Sequence, residues 1–165
     1  MRDYRKLHVF DTVDQLALLV YRETDLFPKR EVFGITAQMR RAAVSVPSNI
    51  VEGCARESAA DYLHFLTMAY GSAKELEYQV SLAERLGYLR DAQPLRKSCD
   101  RASRELCACI IGLRRKIADD AKKAREAQAP GRKPQAASPK PNAPDAQASS
   151  PKQNPTLSKG KESDR

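Results

Sequence analysis

The two histidines of this sequence, and the carboxylate near one of them, are the first candidates for a metal site. Asp61 precedes His64 by three residues, so both side chains would lie on one side of a helix. Di-iron and di-manganese bundles require two Glu-x-x-His motifs on separate helices, together with two further carboxylates. The Asp61-x-x-His64 pair has no counterpart around His8. We therefore predict no metal site and no cofactor, with this pair at the solvated start of a helix.

The cysteines are the next candidates, as zinc ligands or nucleophiles. On a helix, the side chains of Cys107 and Cys109 would point about 200° apart. No second Cys or His pair follows at the spacing of zinc ligands. Cys99 and Cys109 instead lie on the apolar face of a helical pattern, which predicts core packing. All the cysteines fall in helical patterns, a poor disulfide framework, so reduced thiols in a reducing compartment are expected.

Motifs for nucleophilic or phosphoryl-transfer chemistry are missing from the sequence. G-x-S-x-G, G-x-x-x-x-G-K-[ST] and G-x-G-x-x-G do not occur. Gly71-Ser72 falls in the middle of a helical pattern, where it indicates close packing of helices. We predict a protein that is not an enzyme and has no small-molecule substrate. An unrecognised enzyme or metal protein is kept as a third hypothesis.

Basic residues form the most distinct charge pattern. The chain carries 29 Lys and Arg against 21 Asp and Glu, a net charge of +8. Six basic positions on the last predicted helix are candidates for binding nucleic acid: Lys97, Arg101, Arg104, Arg114, Arg115 and Lys122. Such a surface is either the solvated back of a helix or a face that binds phosphates with little sequence preference. The low aromatic content argues against base stacking as the main mode of binding.

A second charged set fits a structural polar network better than a catalytic site. Its members are Arg40, Arg41, Asn49, Glu52, Glu75 and Glu77. The arginines are candidate partners for the glutamates, which lie at the margin of an apolar seam. A buried polar network can specify the register of a helical bundle. A catalytic carboxylate is the alternative interpretation.

Apolar residues recur at intervals of three and four in four segments, the pattern of amphipathic helices. The segments are about Leu7–Phe27, one from near Gly34 that continues through Pro47, one from Ser58 to Gly87, and about Asp91–Glu126. Ser58 with Asp61 predicts a capping box, and Gly87 predicts a helix stop. No alternating strand pattern occurs. Long amphipathic helices with short connections predict an all-α, antiparallel up-down four-helix bundle.

Some leucines lie away from the main apolar stripes of these helices. They are Leu18, Leu19, Leu82 and Leu86. Spare apolar positions indicate contacts with another protein or with a second copy of the chain. We therefore predict that these leucines form an oligomer interface.

The composition changes sharply near residue 127. Residues 127–165 contain seven of the ten prolines, no aromatic residue and one large aliphatic residue. Such a segment cannot bury enough apolar surface to offset the entropy of ordering. We predict a bundle domain over 1–126 and a disordered basic tail over 127–165. The N-terminus is too charged for a signal peptide, and no apolar run is long enough to cross a membrane, so a cytoplasmic location is expected.

Several segments, in the same order, resemble one known family. The most specific is QMRRAAVSVPSNIVEG at residues 38–53, and others are RDYRKL at 2–7, FP at 27–28, FGIT at 33–36, FL at 65–66, GS at 71–72, ELE at 75–77 and LGY at 86–88. These segments are similar to those of the four-helix-bundle family of 23S rRNA-intervening-sequence proteins. Phe10 and Phe33 stand where that family often has Trp and Tyr, which are mild changes compatible with packing.

The resemblance implies a bundle that assembles as a ring, commonly a homopentamer. Some family members are encoded within rRNA intervening sequences, and distantly related accessory proteins of diversity-generating retroelements bind nucleic acid and a reverse transcriptase. No catalytic residue is carried over. The leading hypothesis is a non-enzymatic, oligomeric bundle that binds RNA or DNA. The alternative is a protein-interaction scaffold or assembly factor whose charge serves only solubility.

Overall fold

The computed structural model describes residues 2–128, with side chains described up to residue 127. Its main helices are α1 (His8–Thr24), α2 (Ile35–Ala55), α3 (Ala59–Arg85) and α4 (Gln93–Gln128), and short 3₁₀ turns, Tyr4–Lys6 and Lys29–Glu31, precede α1 and α2. No strand occurs within residues 2–128, and the all-α fold class is confirmed. Apart from the last two positions of α4, the predicted tail lies outside the described residues.

The helices pack around the bundle in their order along the chain. α1 contacts α2 and α4, and α3 also contacts α2 and α4. Within the described residues, no contact joins α1 to α3 or α2 to α4, so these pairs lie on opposite corners. The connections span residues 25–34, 56–58 and 86–92. Because such short connections join antiparallel neighbours, the four helices form an up-down bundle, as predicted.

α3 begins and ends at the residues that its sequence marks. The Oγ of Ser58 accepts a hydrogen bond from the backbone N–H of Asp61 at 2.9 Å and donates one to the Asp61 carboxylate at 2.6 Å. Ser58 is therefore the N-cap, as predicted, but the bond that would complete a capping box, from the Ser58 backbone N–H to the Asp61 carboxylate, is not found among residues 2–128. Gly87 has a φ of 73°, and the amides of Gly87 and Tyr88 donate to the carbonyls three and five residues before them. These two bonds form the Schellman motif that stops the helix.

α1 ends at Thr24, three residues before the end that the apolar pattern predicted. The hydroxyl of Thr24 donates to the carbonyl of Val20 at 2.7 Å, and the chain then turns. A residue before proline disfavours helical backbone, and Phe27 precedes Pro28. Phe27 is nevertheless buried, with its ring centroid 5.7 Å from that of Tyr88. The predicted burial is correct, and the predicted helix end is wrong.

The predicted apolar stripes meet in one core. The largest fully buried side chains include Val13, Leu16, Val20, Met39, Val46, Ile50, Leu66, Leu76, Val80, Leu95 and Leu106. Cys99 is also fully buried, as its position on the stripe of α4 predicts. Each large aliphatic side chain contributes about 1.5–3 kcal/mol when fully buried, so this shared core is what holds the four helices together.

α2 and α3 approach each other closely at Gly53. A Cβ atom at this position would lie 2.8 Å from the Cβ of Phe65 and 3.1 Å from Cδ2 of Tyr62. At Gly71 an added Cβ would meet no atom within 4 Å. The prediction of close helix packing at Gly71-Ser72 is therefore wrong for Gly71, whose α-carbon faces solvent, whereas the hydroxyl of Ser72 does meet α2, 2.9 Å from Ser45 Oγ. Close packing is found at Gly53 instead.

α4 is much longer than the helices it packs against. It has 36 residues and is therefore about 54 Å long, whereas α1 has 17. The inner face of α4 is buried up to Ile110, and every described side chain beyond Ile117 is exposed. The end of α4 therefore presents its charges on all sides. Despite this length, no helix among the described residues has an apolar stretch that could cross a membrane.

Candidate nucleic-acid interface

The six basic residues predicted to bind nucleic acid all lie on α4, and all are exposed. At about 100° per residue, four of them fall within about 20° of one line that faces away from the core: Lys97, Arg104, Arg115 and Lys122. Arg101 lies about 40° to one side of that line and Arg114 about 100° to the other. The line is about 38 Å long at 1.5 Å per residue. We call these six residues the basic face of α4.

Four members of the basic face make no ion pair with any residue in the part of the chain described. They are Lys97, Arg104, Arg114 and Arg115. Lys122 has its Nζ 3.9 Å from Glu126 Oε1, at the limit of an ion pair. Exposed pairs of this kind are worth about 0–1 kcal/mol, so they can be exchanged for a phosphate at little cost.

Arg101 is the most constrained member of the basic face, because it belongs to a polar cluster between α1 and α4. Its Nε donates to Glu105 Oε1 at 2.8 Å, and its Nη2 lies 3.3 Å from Nε2 of His8. Burial works to raise the pKa of Glu105, but the hydrogen bond and the charge of Arg101 outweigh it and lower that pKa. The spacing of Arg101 and Glu105 is a sequence signal for a helical pair. The contact with His8, far earlier in the chain, has no such signal.

The charge balance of α4 favours an anionic ligand. Residues 93–128 contain ten Lys and Arg and five Asp and Glu, a net charge of +5. The additional basic residues are Arg96, Lys116, Lys123 and Arg125, and the acidic ones are Asp100, Glu105, Asp119, Asp120 and Glu126. Cations near the C-terminus of a helix are also stabilised by the helix dipole. In α4 this applies to Arg125, which lies in the last turn.

Arg40, a member of the predicted polar network, joins α1 to α2. Its Nε donates to Thr24 Oγ1 at 2.8 Å, and its Nη2 donates to Asp25 Oδ1 at 2.7 Å. The guanidinium also lies 4.8 Å from the ring centroid of Tyr21. These contacts hold the C-terminal end of α1 against α2. Sequence reasoning missed these partners because it placed Asp25 inside α1 and assigned Arg40 to the glutamates of α3.

The other members of the predicted network make separate contacts. Two pair within their own helices, Arg41 with Gln38 and Glu77 with Lys74, and Glu52 pairs with Arg56, the residue just after α2. Glu75 accepts a hydrogen bond from Gln79 at 2.9 Å. The glutamates of α3 therefore meet neither Arg40 nor Arg41. The structure distributes the set over local pairs and does not bring it together as one network.

Asn49 contributes to the contact between α2 and α3. Its Nδ2 donates to the carbonyl and the hydroxyl of Ser45 at 2.8 and 3.1 Å. The Oγ of Ser45 in turn lies 2.9 Å from the Oγ of Ser72 on α3. Two small hydroxyl side chains thus meet between the helices, and Asn49 orients one of them.

The four leucines predicted as an oligomer interface are divided between two corners of the bundle. Leu18 on α1 and Leu86 after α3 are about half exposed, at 51% and 49%. Leu19 and Leu82 are partly buried, and Leu19 packs against the core. Because α1 and α3 do not touch, the four do not form one patch.

Three further exposed apolar residues, which were not predicted as an interface, lie in the connection between α1 and α2. They are Leu26, Val32 and Phe33, and Phe33 is 94% exposed. The adjacent pair Val32-Phe33, before the start of the second predicted helix, was the signal available in the sequence, whereas Leu26 lay inside the first predicted helix.

The remaining sequence candidates have structural roles. Asp61 forms hydrogen bonds with Ser58, the N-cap of α3, and the ring of His64 packs edge-on against Phe65 with centroids 5.6 Å apart. Over residues 2–127, no group of three His, Cys, Asp or Glu side chains could hold a metal ion.

The four cysteines are free thiols, two buried and two partly buried. Burial raises the pKa of Cys54 and Cys109, and it raises the pKa of Cys99 to about 12. These three thiols therefore stay protonated near neutral pH and are poor nucleophiles.

Comparison with known proteins agrees with this architecture. One solved structure that is similar is the crystal structure of a protein of unknown function from the S23 ribosomal protein family of Bacteroides thetaiotaomicron VPI-5482. It is 23% identical, has a TM-score of 0.58, and the match covers 62% of this chain and 94% of that one, which shows a shared fold. Among curated proteins, none matches. The model of one family, the 23S rRNA-intervening sequence proteins, matches residues 5–108. Because this match spans most of the bundle and more than half of the chain, the protein belongs to the 23S rRNA-intervening sequence protein family.

Proposed function

We propose that this protein is a non-enzymatic, oligomeric bundle that binds nucleic acid through the basic face of α4. The observation that carries the proposal is the set of four exposed cations on one helix that lack ion-pair partners among residues 2–127: Lys97, Arg104, Arg114 and Arg115. Three of them, Lys97, Arg104 and Arg115, also share one line along the helix. Cations that a fold leaves unpaired can neutralise phosphates without first breaking internal contacts.

The geometry fits a nucleic-acid backbone rather than a compact anion. The line from Lys97 to Lys122 extends for about 38 Å on a continuous helix. B-form DNA carries one charge per about 1.7 Å of its axis, so several phosphates lie within that length. Contacts of this type position a protein on nucleic acid but do not select a base sequence. We therefore expect binding with little sequence preference.

The salt dependence of binding tests the proposal quantitatively. Four neutralised phosphates predict that the logarithm of the affinity for duplex DNA falls with the logarithm of the salt concentration at a slope of about −3.6 for each engaged copy. We would measure fluorescence anisotropy of labelled 20-base-pair DNA and of an RNA hairpin between 50 and 300 mM KCl. Absence of binding at 50 mM salt, or an affinity that ignores salt, would refute the proposal.

Charge reversal identifies the surface. The variant Lys97→Glu, Arg104→Glu and Arg115→Glu removes three cations that lack partners among the described residues, so the fold should tolerate it. We expect much weaker binding and a salt slope that is smaller by about 2.7. The matched control reverses three exposed basic residues on the side of α1 and α2: Arg22→Glu, Lys29→Glu and Arg41→Glu. Both variants change the net charge equally, so equal losses would mean that the basic face of α4 is not the binding surface.

Self-assembly is part of the same proposal. The half-exposed Leu18 and Leu86 and the almost fully exposed Phe33 support contacts between copies. The family resemblance implies a homopentamer, and a ring would present several basic faces to one nucleic acid and raise its effective affinity. Light scattering after size exclusion should give the mass of a pentamer. Leu18→Lys and Leu86→Lys should reduce that mass, and a monomeric wild-type protein would contradict this part of the proposal.

A protein-interaction scaffold is the second candidate, and the exposed surface of Leu26, Val32 and Phe33 favours it. A partner protein could cover these residues without any role for the basic face. Affinity capture from lysate treated with nuclease separates the two functions. Partners that survive nuclease and are lost in Phe33→Ser favour the scaffold, whereas partners released by nuclease favour nucleic-acid binding.

A further inference from the structure

A groove of about 570 Å³ lies between α3 and α4, next to the first half of the basic face. Its volume is within the range of about 300–1,000 Å³ that is typical of sites for small molecules. Tyr78 and Lys74 line it from α3, and Gln93, Arg96 and Lys97 line it from α4. The groove therefore combines one aromatic ring with three cations, and the carboxylates of Glu77 and Asp100 also line it.

Among the tyrosines of the described residues, Tyr78 is the one whose side chain has no interaction partner. It is 61% exposed, and neither its ring nor its hydroxyl has an aromatic, cationic or hydrogen-bond partner within residues 2–127. The other five tyrosines all have partners: Tyr4 meets Phe10, Tyr21 lies under Arg40, Tyr62 lies under Arg2, Tyr70 packs against the core, and Tyr88 donates to Glu31. A free aromatic face on an exposed helix is available to stack against a ligand.

The polar groups around Tyr78 suit both parts of a nucleotide. Lys97 has no ion-pair partner in the described chain, while Arg96 pairs with Glu84 and Lys74 pairs with Glu77 across exposed contacts that a phosphate can replace. The amide of Gln93 and the carboxylate of Asp100 also line the groove, and such groups form hydrogen bonds with base edges.

Cys99 and Val80, both buried, form the apolar floor of the groove. Because burial raises the pKa of Cys99, its thiol adds no negative charge that would repel a phosphate.

We propose that this groove binds one unstacked nucleotide, with its base against the ring of Tyr78 and its phosphate against Lys97 and Arg96. The inference rests on the proposed function and adds to it a preference for unpaired nucleotides. A single aromatic residue offers one stacking position, so most of the affinity still comes from the phosphates on the basic face. The nucleotide belongs to a single strand or loop, or it is a free nucleoside monophosphate, and the experiment below distinguishes these sources.

The test compares single-stranded and duplex probes in Tyr78 variants. Base stacking on an aromatic side chain is worth about 5- to 150-fold in affinity. Tyr78→Ala should therefore weaken binding of labelled U12 by that factor and leave binding of a blunt 20-base-pair duplex within about twofold. Tyr78→Phe keeps the ring and should bind as wild type does. Tyr21→Ala, which removes a half-exposed tyrosine on α1, is the matched control and should leave both affinities unchanged.

The outcomes separate this inference from the proposed function. If wild type binds both probes and Tyr78→Ala weakens neither, the nucleotide site is refuted while nucleic-acid binding stands. If wild type binds neither probe but binds UMP in a manner that requires Tyr78, the site holds a free nucleotide and the proposed function is refuted. If wild type binds neither the probes nor UMP at 50 mM salt, both are refuted. Competition of UMP against U12 in wild type shows whether the strand uses this groove.

Discussion

Two glycines in the bundle should respond in opposite ways to the same change, Gly→Ala. At Gly53 the new Cβ would lie 2.8 Å from the Cβ of Phe65, closer than side-chain carbons approach in proteins. The Cβ of Phe65 is attached to the backbone of α3 and cannot rotate away, so α2 and α3 would have to separate. At Gly71 the new Cβ would enter open solvent.

The magnitudes follow from these two environments. Overpacking in a core costs about 1–3 kcal/mol, and the gain in helix propensity from Gly to Ala is about 1 kcal/mol. Gly53→Ala has the same gain but also meets the clash, so it should lower the free energy of unfolding by about 0–2 kcal/mol. Gly71→Ala should raise it by about 0.5–1 kcal/mol, because it gains helix propensity with no clash. The two variants should differ by about 2 kcal/mol, or about 6–12 °C in Tm for a domain of this size.

Urea and thermal unfolding, followed by the helical circular dichroism signal, would measure the difference. All samples need the same protein concentration, because oligomerisation makes Tm depend on concentration. A Gly53→Ala protein that gains as much stability as Gly71→Ala would show that α2 and α3 do not meet as described. A Gly71→Ala protein that loses stability would show that Gly71 does have a packing partner.

Two further predictions concern titration and thiol chemistry. The folded-state pKa of Glu105 is lowered, so the stabilising effect of its carboxylate should be present at neutral pH and be lost as the pH falls through that pKa. The difference in Tm between wild type and Glu105→Gln should therefore shrink towards pH 3. A difference in Tm that stays constant down to pH 3 would contradict the pairing of Glu105 with Arg101. In native protein at pH 8, a thiol reagent should modify the partly exposed Cys107 first, and the buried Cys54 and Cys99 only after unfolding. Equal rates of modification for the three cysteines would contradict the described burial.

The helix bounds show which predictions local sequence supports. The N-cap at Ser58 and the stop at Gly87 were predicted correctly because each depends on residues only a few positions apart. The end of α1 was predicted three residues too late. The apolar period continues to Phe27, but that side chain reaches the core from a turn, next to Tyr88 of a distant segment.

The candidate site was also predicted in part from the sequence. All members of the basic face were predicted to lie on the outer side of one helix, and the structure has them exposed there. Which of them are unpaired could be predicted only in part, since Glu105 lies one turn from Arg101 but His8 comes from α1. The groove at Tyr78 was not predicted, because its two walls belong to different helices.

The sequence by itself determined the number of helices, the faces that are buried and the charge of α4. These follow from the periodic burial of apolar side chains, which requires only a local repeat. Tertiary structure alone decided the partners of Arg40, the close approach at Gly53 and the groove beside Tyr78. Such features depend on the register between helices, and register is set by how the whole core packs.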